Sequence, residues 1–113
     1  MAEARYRTLR EFWPFYLREH SRRGTRALHI VGSLGVIGWI AAAILLREPW
    51  FLLGAIVNGY GFAWIGHYFV EHNRPATFVY PWKSFVSDWI MLGCFLTGRL
   101  GKELQRHGVR PNS

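Results

Sequence analysis

Residues 28–46, LHIVGSLGVIGWIAAAILL, carry no formally charged side chain, and the fold turns on how this stretch is read. As a helix it would be about 28 Å long at roughly 1.5 Å per residue, against a bilayer hydrocarbon core of about 30 Å. A second uncharged block, residues 50–70 (WFLLGAIVNGYGFAWIGHYFV), follows directly after the connector Arg47-Glu48-Pro49. So short a connector predicts a tight antiparallel hairpin. Glycines recur in both blocks, at Gly32, Gly35 and Gly38 and again at Gly54, Gly59, Gly61 and Gly66. In a soluble helix each would cost about 1 kcal/mol relative to alanine, whereas in lipid small residues let backbones approach closely. The expectation is an all-α fold: a small helical integral membrane protein with a central transmembrane hairpin. A soluble bundle with two very apolar central helices is the alternative.

Working outward, residues 9–19 (LREFWPFYLRE) mix charges with aromatics and predict an amphipathic N-terminal helix, lying on the membrane or covering the hairpin. The third apolar stretch, residues 78–100, is interrupted by Lys83, Ser84, Ser87 and Asp88. Only residues 89–97 are free of charge, too few to cross a bilayer as a helix. This segment is expected to be short, re-entrant or interfacial, or divided into two helices around residues 83–88. At 113 residues the chain makes a single domain, 1–113, which excludes a two-domain enzyme. Its net charge of +7 sits entirely at the two ends. Arg5, Arg7, Arg10, Arg18, Arg22, Arg23 and Arg26 outweigh Glu3, Glu11 and Glu19, and Arg99, Lys102, Arg106 and Arg110 outweigh Glu103. Basic ends flanking apolar blocks suit anionic membrane lipid rather than nucleic acid. The positive-inside rule then puts both termini on the cytoplasmic side, with two full spans. The first 27 residues lack the apolar core of a cleavable signal, and Cys94 stands alone, which suggests a packing role.

Histidine is where chemistry is expected. His29 opens the first block, His67 lies near the end of the second, and an antiparallel hairpin brings those ends together. His20, Glu71, His72 and Asp88 flank the same end. Ionisable groups at membrane depth are costly and by default mark function, and imidazole with carboxylate is a ligand set for iron or zinc. His20, His29, His67 and Glu71 are therefore the candidate metal ligands. Each has a structural alternative: His67 and Glu71, spaced i,i+4, could be only a hydrogen-bonded pair, and His29 could be a core histidine bonded to a carbonyl. His72, five residues past His67, reaches the same ion only if the helix ends there. Asp88 could support the site or simply cap a helix beginning at Trp89. His107 lies in the polar tail.

Phe15-Tyr16-Leu17-Arg18-Glu19-His20, Leu28-His29-Ile30-Val31-Gly32, Gly66-His67-Tyr68-Phe69-Val70-Glu71, Asn73-Arg74-Pro75-Ala76-Thr77-Phe78 and Asp88-Trp89 together resemble the Mpo1-like family over roughly residues 8–100. The resemblance implies a helical membrane protein and an Fe(II)-dependent dioxygenase that shortens a 2-hydroxy fatty acid by one carbon in α-oxidation. It places His20, His29 and His67 on the family's histidines and Glu71 on its acidic position. Thr25 departs from the asparagine often found there. The implied partners are a fatty acyl substrate and membrane lipid, and Arg22, Arg23, Arg26 or Arg74 could pair with the substrate carboxylate or with lipid phosphates. Two rival classes are a di-iron lipid-modifying enzyme and a non-catalytic membrane protein whose histidines pack. The glycine-rich faces would also suit a homo-oligomer.

Overall fold

A computed structural model describes residues 6–109; Glu3, Arg5 and Arg110 of the basic ends lie outside the described residues. Every regular element is helical: α1 (Leu9–Glu19), α2 (Arg23–Leu45), α3 (Phe51–Ile65) running into a π-helical turn (Gly66–Glu71), a short 3-10 turn (Ala76–Phe78), α4 (Pro81–Leu96) and α5 (Leu100–Arg106).

The hairpin forms as its connector demands. Leu46 ends α2, Arg47 takes a left-handed conformation at φ 55°, and the amides of Arg47 and Glu48 return to the carbonyls of Ile44 and Ala43. These two bonds satisfy carbonyls that the helix end would otherwise leave open and reverse the chain within one turn. From there α2 and α3 run antiparallel. Gly35 faces Asn58, Gly32 faces Phe62, and Trp39 lies over Gly54. The Asn58 side-chain amide donates to the Gly32 carbonyl at 2.8 Å, tying the two helices in mid-length. By length and composition, α2 is the one described helix able to cross a membrane. The second apolar block is instead divided: its α-helical part is 15 residues, and from Gly66 the winding loosens to π.

The aromatics of α1 are core. Thr8 and Glu11 close a capping box at its start, and Phe12, Tyr16 and Leu17 turn inward together. They pack with Met91 and Leu92 of α4, Leu100 and Leu104 of α5, and Tyr80. Trp13 reinforces this by donating from Nε1 to Glu103 at 2.8 Å. The face expected to meet either lipid or the hairpin is thus largely occupied by α4 and α5.

Of the alternatives for the third apolar stretch, a division around residues 83–88 does not occur. Pro81 begins α4, and the helix continues unbroken to Leu96. Ser84, Ser87, Asp88 and Met91 recur at helical spacing; the two serines and Met91 are buried, and Asp88 faces the histidines. The polar residues that read as a break are one inward face. Asp88 is accordingly a mid-helix residue, which rules out the cap reading. Gly98, at φ 74°, ends α4 and turns the chain into α5.

The glycines at the hairpin seam are separable from those outside it. A Cβ at Gly35 would stand 2.4 Å from Asn58 Nδ2, whereas one at Gly38 meets nothing within 4 Å. Gly35→Ala is expected to destabilise the fold by about 1–3 kcal/mol through overpacking and loss of the Asn58 bond. Gly38→Ala should be neutral or stabilising by up to about 1 kcal/mol. Thermal unfolding of both variants in detergent checks this, and equal effects would contradict the seam.

Candidate metal centre

Three elements meet at the open end of the hairpin. His20 closes α1, His29 lies on the second turn of α2, and His67 is the second residue of the π turn. All three are buried, at 1%, 6% and 2% exposure, and one ligand nitrogen from each lies within 4.8 Å of the others. The rings meet edge to face, with centroids 4.4 Å apart for His20 and His29 and 4.5 Å for His20 and His67.

Two of the rings are oriented from behind. His20 Nδ1 is 2.8 Å from the Tyr16 carbonyl, so Nδ1–H donates there and Nε2 keeps its lone pair for the cluster. His67 Nδ1 is 2.7 Å from Asn73 Oδ1, with the same consequence. Asn73 is itself fixed by its Nδ2 donating to the Glu19 carbonyl at 3.1 Å and by its backbone amide donating to the His67 carbonyl. Outer partners of this kind are what metal-binding imidazoles require. Burial, with His29 and His67 beside it, holds the His20 imidazole well below the usual histidine range, which keeps it neutral and able to ligate. His20 Nε2 and His29 Nε2 are 3.4 Å apart. Two nitrogens each about 2.1 Å from a shared ion lie about 3.4 Å apart at a near-tetrahedral angle, so the His20 and His29 pair has the spacing of ligands to one metal.

His29 is held differently. Its Nδ1 is buried with no hydrogen-bond partner among the described residues, and its Nε2 faces Asp88 Oδ1 at 3.0 Å. The same oxygen accepts from the Tyr16 hydroxyl at 2.6 Å. Burial first, and the Asp88 carboxylate second, push Tyr16 well above the usual phenol range, so it remains a donor.

Glu71 is occupied elsewhere. Its carboxylate accepts from the Ser21 amide at 3.2 Å, from the Ser21 hydroxyl and from the Arg22 amide at 2.9 Å. It is not part of the compact set formed by the three histidine nitrogens. It therefore latches the start of α2 rather than joining the three clustered nitrogens. His72, left-handed at φ 62° and exposed, turns away from them. Thr25 is buried against Gly66 and lets α2 approach the π turn. Tyr16 and Asn73 were not among the candidate site residues, although both stand in the motifs that carry the family resemblance.

A cavity of about 400 Å³ opens from the histidines between α2, α3 and α4. Ser33 and Ser84 border it one turn beyond His29 and Asp88, and its far part is lined by Val36, Ile40, Leu52, Ile56, Tyr60 and Trp64. From His29 to Ile40 is about 16 Å along α2. Its lining contains no arginine or lysine. Arg26 is buried but donates to the carbonyls of His20 and Ser21, and Arg74 lies over the Phe78 ring.

The latch predicts a pH dependence. Burial alone would raise Glu71, but the Ser21 hydroxyl and the Arg22 and Ser21 amides outweigh it and hold the carboxyl below its usual range. A carboxyl lowered on folding stabilises fully above its unfolded value and loses that contribution as pH falls through the folded one. Glu71→Gln is expected to cost on the order of 1 kcal/mol at neutral pH, as loss of a helix-start acceptor does, and to flatten the decline on the acid side of about pH 4. Thermal unfolding against pH checks this; an unchanged melt with an unchanged acid limb would contradict it.

No curated protein and no solved structure matches this chain. A family model described as 2-hydroxy-palmitic acid dioxygenase Mpo1-like matches residues 6–100, nearly the whole sequence. With its histidines gathered at the mouth of an apolar cavity, the chain belongs to the Mpo1-like family.

Proposed function

We propose that this chain is an iron(II)-dependent dioxygenase that shortens 2-hydroxy fatty acids by one carbon, working within a membrane. The single observation that carries the reading is the convergence of His20, His29 and His67 at the head of a long apolar cavity. The family's description names the substrate class and the reaction type. Iron(II) held by the three Nε2-bearing edges would supply the redox chemistry that lets O2 react with an α-hydroxy acid.

The chain's own residues do the rest. Tyr16 and Asn73 fix two imidazoles so that no rotation is needed to present their lone pairs. Ile40, Leu52, Ile56 and Trp64 line the far part of the cavity and take the acyl tail. With no cationic side chain in the lining, the substrate carboxylate must find its countercharge at the metal end. That orients the 2-hydroxy acid head-first towards the histidines.

A membrane setting is supported by the exterior. The most apolar window of α2 has a mean hydropathy of 2.1 and only 22% of it is buried, unlike the core helix of a soluble protein. Val31, Leu34, Ile37, Ile44 and Leu45 of α2 and Leu53, Ile56 and Val57 of α3 are exposed together. Continuous apolar surface on this scale marks contact with lipid or another protein. The second uncharged block, residues 50–70, has the length for a second crossing, and the basic ends would then both face the cytoplasm. The same exposed glycine-bearing faces could pair two copies.

Incubation of purified protein with iron(II), O2 and 2-hydroxypalmitic acid is expected to yield a product one carbon shorter, with none from palmitic acid. His67→Ala should reduce the yield to background. Leu52→Trp, far from the histidines, should impair long acids while sparing short ones. Turnover that survives His67→Ala would contradict the reading.

A further inference from the structure

Resting on the metal reading above, we propose that Asp88 supplies the carboxylate ligand of the ion, clamped by the Tyr16 hydroxyl, and that Glu71 is a structural latch. The three histidine nitrogens form the compact set, and Asp88 borders it on the His29 side. His29 Nε2 and Asp88 Oδ1 are 3.0 Å apart. Two ligand atoms each about 2.1 Å from one ion lie about 3.0 Å apart at a right angle, a cis relation that leaves room for further ligands.

The remaining capacity of Asp88 points the same way. Both of its hydrogen bonds fall on Oδ1, from Tyr16 and with His29, and among the described residues none reaches Oδ2. The side chain is 30% exposed and borders the cavity, so its carboxylate keeps capacity for a further partner where an ion and substrate would meet. Glu71, by contrast, already accepts two backbone amides and a hydroxyl away from the cluster.

Charge supports the assignment. Imidazole ligands add no charge, so a divalent ion would keep its full charge in a mostly apolar cavity in whose described lining Asp88 is the one carboxylate. One carboxylate from Asp88 and one from a monocarboxylic substrate bring the assembly to neutrality, the cheapest state to bury. Tyr16 serves two ligands, holding His20 with its carbonyl and Asp88 with its hydroxyl.

Cobalt(II) binding to anaerobic protein in a Cys94→Ser background tests this. Asp88→Cys is expected to give a sulfur-to-cobalt charge-transfer absorption absent from the parent. Asp88→Asn should weaken cobalt binding at least about 10-fold and alter the visible bands, and Glu71→Gln should change neither. Tyr16→Phe, with folding verified by circular dichroism, should shift the bands while retaining the ion. If Asp88→Cys binds cobalt without the new absorption, or Asp88→Asn keeps the parental affinity and bands, the assignment is overturned while the histidine site stands. If Tyr16→Phe leaves the bands unmoved, the clamp is overturned. A parent that binds no cobalt would overturn the metal reading and Asp88 with it.

Discussion

Three buried imidazoles that face one another within 4.8 Å are the constraint on which the rest of the architecture depends. Burial and the two neighbouring imidazoles hold His20 neutral. With Nδ1 of His20 and of His67 already engaged, the inward-facing nitrogens carry lone pairs with few donors between them. A cation satisfies such a set; water or another side chain would satisfy it only in part. The surrounding elements read as means of holding this arrangement against its own cost.

The hairpin sets the distance. Gly32 and Gly35 let α3 lie against α2, Asn58 pins the register, and His29 and His67 fall side by side at the open end as a result. α1 and α4 then close the site from the opposite side, bringing His20 with Tyr16 and Asp88 with Ser84. The core of α1, α4 and α5 is consequently a support for one wall of the cavity. Glu71 and Asn73 fasten the loops at the site's edge, so the ligand-bearing ends of three helices are tied to each other and not only to their own helices.

How far this was legible from sequence differs by residue. The helical hairpin was readable because two uncharged blocks with a three-residue connector allow little else. Its consequence, the meeting of His29 and His67, followed from antiparallel geometry. The inward face of α4 was not readable, because Ser84, Ser87 and Asp88 look like an interruption to anyone expecting lipid on all sides. Glu71 was legible only as a neighbour of His67. The i,i+4 spacing puts it on the His67 side of the turn, but nothing local in GHYFVE announces that the Ser21 and Arg22 amides will take up its carboxylate. The buried face of α1 had the right period, but amphipathicity alone does not say whether the apolar side meets lipid or protein.

The most direct test of the central claim is the iron content of protein loaded with iron(II) under anaerobic conditions and freed of excess metal. The account predicts a single iron per chain, lost in both His20→Ala and His67→Ala while helicity is retained. Wild type without iron, or variants that retain it, would contradict a shared site built from these imidazoles.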